Sequence, residues 1–122
     1  MNKKIGNEIY KWAQDLFPLN RSLSGEGVRE TLAYIKNILP DLKIKHFNSG
    51  QKVFDWTIPP EWEVKAAYIR NSRGETIVDF KDLNLHLVGY SIPVNRKMKY
   101  EELIKHLFYL KDLPDAIPYK TS

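Results

Sequence analysis

The sequence contains no cysteine. Disulfides, thiolate zinc sites, iron–sulfur clusters and cysteine nucleophiles are therefore excluded from the chain. No apolar run approaches the roughly 18 residues that a membrane-spanning helix needs, so no membrane partner is expected. Only three histidines occur, His46, His86 and His106, and no pair stands at a metal-ligand spacing such as His-x-x-x-His. An excess of one charge is also missing. Nineteen Lys and Arg against fifteen Asp and Glu give +4. Residues 1–61 hold 9 basic and 7 acidic side chains, residues 62–122 hold 10 and 8, and the signs are interleaved. A nucleic-acid binder concentrates its basic residues on one element, so this even mixture reads as solubility and disfavours nucleic acid. The N-terminus has no apolar stretch or small-residue cleavage site of a secretory signal, and a cytoplasmic location is the expectation. No internal repeat or low-complexity segment is visible.

What is present is globular in composition, with 43% hydrophobic and 28% charged residues among 122. A chain of this length is expected to bury about two-thirds of its unfolded surface. Ile5, Ile9, Trp12, Ala13, Leu16 and Phe17 recur at spacings of three and four, which predicts a helix that Pro18 ends. A second helix starts near Ser24, carries Val28, Leu32, Ile35, Ile38 and Leu39 on one stripe, and stops at Pro40. The pair reads as a helical hairpin. Beyond Pro40 the period changes to two. Leu42 and Ile44, then residues 53–58, then Trp62, Val64, Ala66 and Tyr68, alternate apolar with polar. Thr76, Val78 and Phe80 alternate after the turn cluster Asn71-Ser72-Arg73-Gly74, predicting a hairpin over 62–80. One or two short strands follow between Leu85 and Val94. A last helix is expected around Leu103, Ile104, Leu107, Phe108 and Leu110, then an extended tail with Pro114 and Pro118.

The fold class expected is α+β: an N-terminal helical hairpin, an antiparallel β sheet or small barrel, one C-terminal helix and an extended tail. The domain boundaries expected are 1–40 for the hairpin, 41–96 for the β-rich part, and 97–122 for the helix and connector.

The sharpest chemical feature is the run from Asn20 to Arg29, in which Gly25 and Gly27 flank the start of a helix beside hydroxyls and arginines. A helix N-terminus offers free N–H groups to a carboxylate or phosphate. The third glycine of a dinucleotide fingerprint and the Gly-Lys-Ser/Thr of a P-loop are both absent. The plainer alternative is that Ser24 caps the helix and the glycines only shape the turn. His86, near Asp79, Asp82 and Asn84, is a candidate general base or an ordinary strand histidine. Trp56, Trp62, Tyr68, Phe80 and Tyr90 could stack a ligand or fill a core. Asp55, if its face is buried, needs a cation, for which Arg21 or Arg29 would serve.

Longer stretches resemble a known family. Residues 16–32, LFPLNRSLSGEGVRETL, together with Val53-Phe54-Asp55-Trp56-Thr57-Ile58-Pro59 and Trp62, are similar to the opening of a bacterial aminopeptidase-like family. Val78-Asp79-Phe80-Lys81-Asp82, Asn84-Leu85-His86, Val88 to Val94 and Leu113 to Tyr119 continue the resemblance. In that family a β-rich domain of unknown function is inserted near the N-terminus of a zinc-exopeptidase-like domain, to which the hairpin at 1–40 would belong. The resemblance covers only the family's N-terminal part. It implies zinc in full-length relatives, held by downstream residues, and no catalytic residue, metal ligand or cofactor in this chain.

The function expected is thus the N-terminal portion of an aminopeptidase-like metallohydrolase, inactive alone. Arg21, Ser24, Glu26 and Arg29, and secondarily His86, are the candidate substrate-binding residues. The alternative is a stand-alone β-rich module that binds a glycan or peptide. Self-association through the N-terminal helices is a further expectation.

Overall fold

The computed structural model describes residues 3–120. It divides into two compact units, Met1–Lys65 and Ala66–Ser122. The class is α+β, with three α-helices and two small antiparallel ladders, and no closed barrel among the described residues.

In the first unit, α1 (Lys3–Leu16) and α2 (Glu26–Ile38) form where the sequence repeats every three to four residues. Leu16 ends α1 two residues before Pro18, and α2 stops before Pro40, because proline disfavours helix in the residue ahead of it. The helices are tied by the Tyr34 hydroxyl, which donates to Asp15 Oδ2 at 2.7 Å, while Lys11 Nζ donates to the same carboxylate at 2.8 Å. Asp15 is held below its usual range first by the Lys11 hydrogen bond and then by that of Tyr34.

Two strands of two residues each, β1 (Lys52–Val53) and β2 (Trp56–Thr57), then pair antiparallel, Lys52 with Thr57 and Val53 with Trp56. The single strand expected over 53–58 is instead a hairpin turning at Phe54-Asp55. Its base is closed by Gly50 N–H to Ile58 O (2.8 Å) and Ile58 N–H to Gln51 O (2.9 Å). Asp55 sits exposed in this turn, so the buried face that would have required Arg21 or Arg29 beside it does not exist.

In the second unit, β3 (Tyr68–Arg70) and β4 (Thr76–Asp79) form the expected hairpin, shorter than 62–80, with a bulge between Ile69 and Arg70. Asn71 Oδ1 accepts the N–H groups of Arg73 and Glu75, each at 3.0 Å, and Gly74 takes φ +84°, which glycine adopts without strain. A 3₁₀ turn, Asn84–His86, replaces the strand expected there. The last helix is shorter than its apolar residues suggest. It comprises α3 (Tyr100–Leu103) and a 3₁₀ turn, Ile104–His106, after which Leu107 is extended. Short helices are marginal unless an apolar face is packed, and Phe108 and Leu110 remain exposed.

The larger correction concerns the interior. Among the described residues no hydrophobic side chain is buried. The accessible surface is 11219 Å², whereas a folded chain of this mass is expected to expose about 6,800 Å². The apolar stripe of α1 is open: Ile5, Ile9, Trp12 and the following Phe17 are all exposed. No described helix is long and apolar enough to cross a membrane.

Candidate functional site

The loop from Phe17 to Gly25 and the first turn of α2 carry four of the five candidate residues. Their placement begins with main-chain contacts. Gly25 is buried, has φ +115° and stands at the N-cap of α2, where it offers no side chain to cap the helix. Ser24 is therefore not the cap. Its carbonyl accepts the Ser22 hydroxyl, which also lies 3.1 Å from the Trp62 carbonyl. Gly27 sits where the loop crosses the helix: a Cβ on it would lie 1.9 Å from the Asn20 carbonyl oxygen. Both glycines thus serve the chain's own turn. Arg21 reaches back to the end of α1, its Nη1 donating to Leu16 O at 2.6 Å.

Arg29 organises the site. Its Nη1 and Nη2 donate to the two oxygens of Glu61 at 2.6 and 3.1 Å, a bidentate fork. Its Nε donates to Glu26 Oε2 at 2.8 Å, and Glu63 Oε1 lies 3.5 Å from Nη2. Arg29 is held above its usual value by Glu61 and then Glu26, and Glu61 is held below its own by Arg29. All these groups are exposed, so they fix geometry more than they add stability.

Glu63 Oε1 also accepts the Glu26 N–H at 3.2 Å. The helix N-terminus expected to suit a ligand anion thus faces a carboxylate of the chain itself. One arginine among three glutamates leaves an excess of negative charge, which favours a cationic group over a phosphate. A cleft of about 120 Å³ opens beside them, lined by Asn20, Ser22, Ser24, Glu26, Trp62 and Glu63 among others.

Glu61 and Glu63 were not singled out from sequence. They lie more than thirty residues from Arg29, and no local period reports such a pairing. His86 belongs to the second unit, where its Nδ1 is 3.2 Å from the Asp79 carbonyl oxygen. Of the aromatics, Trp56, Tyr68 and Tyr90 are exposed, and the Arg70 guanidinium covers the Tyr68 ring at 4.6 Å. A second cleft, about 300 Å³, lies among Leu107, Phe108, Leu110, Pro118 and Tyr119, with Lys120 over the Phe108 ring at 4.8 Å. No group of three or more His, Asp or Glu among the described residues is placed to hold a metal ion.

Residues 61–122 match the family described as a domain of unknown function, DUF2172, and the chain belongs to that family. It is also 47% identical, over 121 residues, to a Clostridium acetobutylicum protein named for polysaccharide biosynthesis and an aminopeptidase-like domain. A crystal structure described as that of a peptidase from Clostridium acetobutylicum matches with a TM-score of 0.89 and 48% identity over 98% of the chain. The chain spans 28% of the length of each of these two relatives.

Proposed function

We propose that the chain is the N-terminal portion of an aminopeptidase-like metallohydrolase, and that it is catalytically silent by itself. The observation that carries this reading is the open apolar surface. A sequence 47% identical to part of a protein more than three times longer has one amphipathic helix, α1, whose apolar stripe is open, and a second, α2, whose stripe is only half-buried. Such faces are stabilising only when another surface covers them. The longer protein's remaining sequence would supply that surface and hold the zinc and its water, both of which metal-assisted hydrolysis needs.

In this reading the loop bearing Arg21, Ser24, Glu26 and Arg29 borders the substrate. With Glu61 and Glu63 beside it, carboxylates outnumber arginines there by three to two, which suits the ammonium at the end of a peptide. A glycan ligand, in keeping with the relative's polysaccharide name, is the competing substrate class. The compartment proposed is the cytoplasm.

Two measurements test this. With zinc and a panel of aminoacyl chromogenic substrates, the isolated chain should give no turnover. Turnover that survives repurification and vanishes with a chelator would refute the reading. The isolated chain should also self-associate in sedimentation velocity. In a chimera of the clostridial relative, with its matched segment replaced by these 122 residues, the protein should be monodisperse. Ile5, Ile9 and Trp12 should then be protected from hydroxyl-radical footprinting, and continued labelling at all three would sink the proposal.

A further inference from the structure

The hairpin β1–β2 contains an anomaly that its own fold does not require. Phe54 has φ +54° and is 100% exposed. A left-handed backbone is costly for a bulky side chain, and Gly, Asn or Asp is the usual choice in a two-residue turn. A phenyl ring fully in water also forgoes the gain of burial, so no contact of the ring within the chain offsets that cost. The hairpin beneath it is well fixed, by the ladder pairs Lys52–Thr57 and Val53–Trp56 and the two hydrogen bonds joining Gly50 and Gln51 to Ile58. The result is an aromatic ring held out on a short, tied stalk, with the exposed Asp55 carboxylate next to it. Strain retained at a position of this kind points to a contact made elsewhere.

We propose that Phe54 is a docking knob that inserts into an apolar socket on the aminopeptidase-like remainder of the longer protein, with a basic group at the socket rim facing Asp55. This rests on the reading given under Proposed function. The occupant follows from length, since this chain aligns with only 28% of the clostridial relative and the rest of that protein is the surface available in every molecule. It follows also from chemistry, since an uncharged ring beside one carboxylate is complementary to an apolar pocket with a cation at its edge.

Two experiments test the knob. In the isolated chain, Phe54→Asn should leave hydrogen-exchange protection of the Gly50 and Ile58 amides unchanged or raise it, because Asn tolerates the left-handed region and the ring touches nothing. A fall in protection of fivefold or more would mean that Phe54 holds the hairpin together, and would overturn the proposal. In the chimera, a photoreactive phenylalanine analogue at position 54 should crosslink within the molecule to a peptide outside the 122 residues. Crosslinks confined to those residues, or joining two molecules, would overturn the assigned occupant. A chimera that is not monodisperse counts against the earlier reading; a monodisperse one lacking the crosslink counts against the knob alone.

Discussion

The two helical glycines give a test in which one substitution predicts opposite signs. Gly6 lies inside α1, and a Cβ there meets no atom within 4 Å. Gly6→Ala should therefore stabilise α1 by about 0.5–1 kcal/mol, the ordinary cost of glycine in a helix interior. Gly27 lies in the first turn of α2, and its Cβ would fall 1.9 Å from the Asn20 carbonyl oxygen and 2.8 Å from the carbonyl carbon. Those are backbone atoms, so the loop must move rather than a side chain swing away. Overpacking of this kind costs roughly 1–3 kcal/mol. After the helix-propensity gain of about 1 kcal/mol is deducted, a net loss of up to about 2 kcal/mol remains. The assay is hydrogen exchange at the Arg29 amide, which donates to the Gly25 carbonyl at 3.2 Å, together with far-ultraviolet circular dichroism. A loss approaching 2 kcal/mol would lower protection up to about thirtyfold. If Gly27→Ala instead raised helicity and protection as Gly6→Ala does, the loop would not cross the helix at this point. The account of the site built on that crossing would then fail.

Other outcomes follow from the ion pairs. Arg29→Lys keeps the charge but loses the bidentate fork, so the Glu61 carboxyl should titrate closer to its ordinary value of 4.5, read by carboxyl-carbon NMR. Asp15→Asn should let the Tyr34 phenol fall back toward 10.0 and the Lys11 ammonium toward 10.5, because the Asp15 hydrogen bond is the first cause of both raised values. Glu61 and Asp15 have folded values depressed below 4.5 and 3.8, so the stability they contribute is present above those values. That stability should disappear as pH falls through the depressed values, seen as loss of the Arg29 and Tyr34 contacts in NMR spectra on acidification. High salt at neutral pH should weaken the exposed Arg29 cluster in the same direction.

The sequence was most readable where structure is local. The positions of α1 and α2 follow from their own periodicity and from Pro18 and Pro40, and the β3–β4 turn from Asn71 and Gly74. The period-two segments were only half readable. Leu42 and Ile44 are less exposed than Lys43 and Lys45, and Trp62 and Val64 less exposed than Glu63 and Lys65, as the alternation implied. From Ala66 the phase reverses, with Ala66 and Tyr68 exposed and Ala67 and Ile69 less so, and only the Tyr68 end joins a ladder, because alternation reports an extended backbone and says nothing of a partner strand. The turn at Phe54-Asp55 is hidden because Phe54, which takes the left-handed position, is not a usual turn former and the apolar residues at 54, 56 and 58 keep the strand period. At the candidate site, the glycines and Arg29 were visible from their types, but Glu61 and Glu63 were not. Long-range ion pairs leave no trace in local spacing.

Gly25 is the sole residue classed as buried among those described, and it has no side chain. The first unit is thus tied at a close junction, where the loop, the α2 N-terminus, the Trp62 carbonyl and the Glu63 side chain meet. Drift in side-chain identity along the helices should therefore be tolerated comparatively well. A single inserted residue between Asn20 and Gly27, or near Glu61, would pull that junction apart while leaving every amphipathic pattern intact.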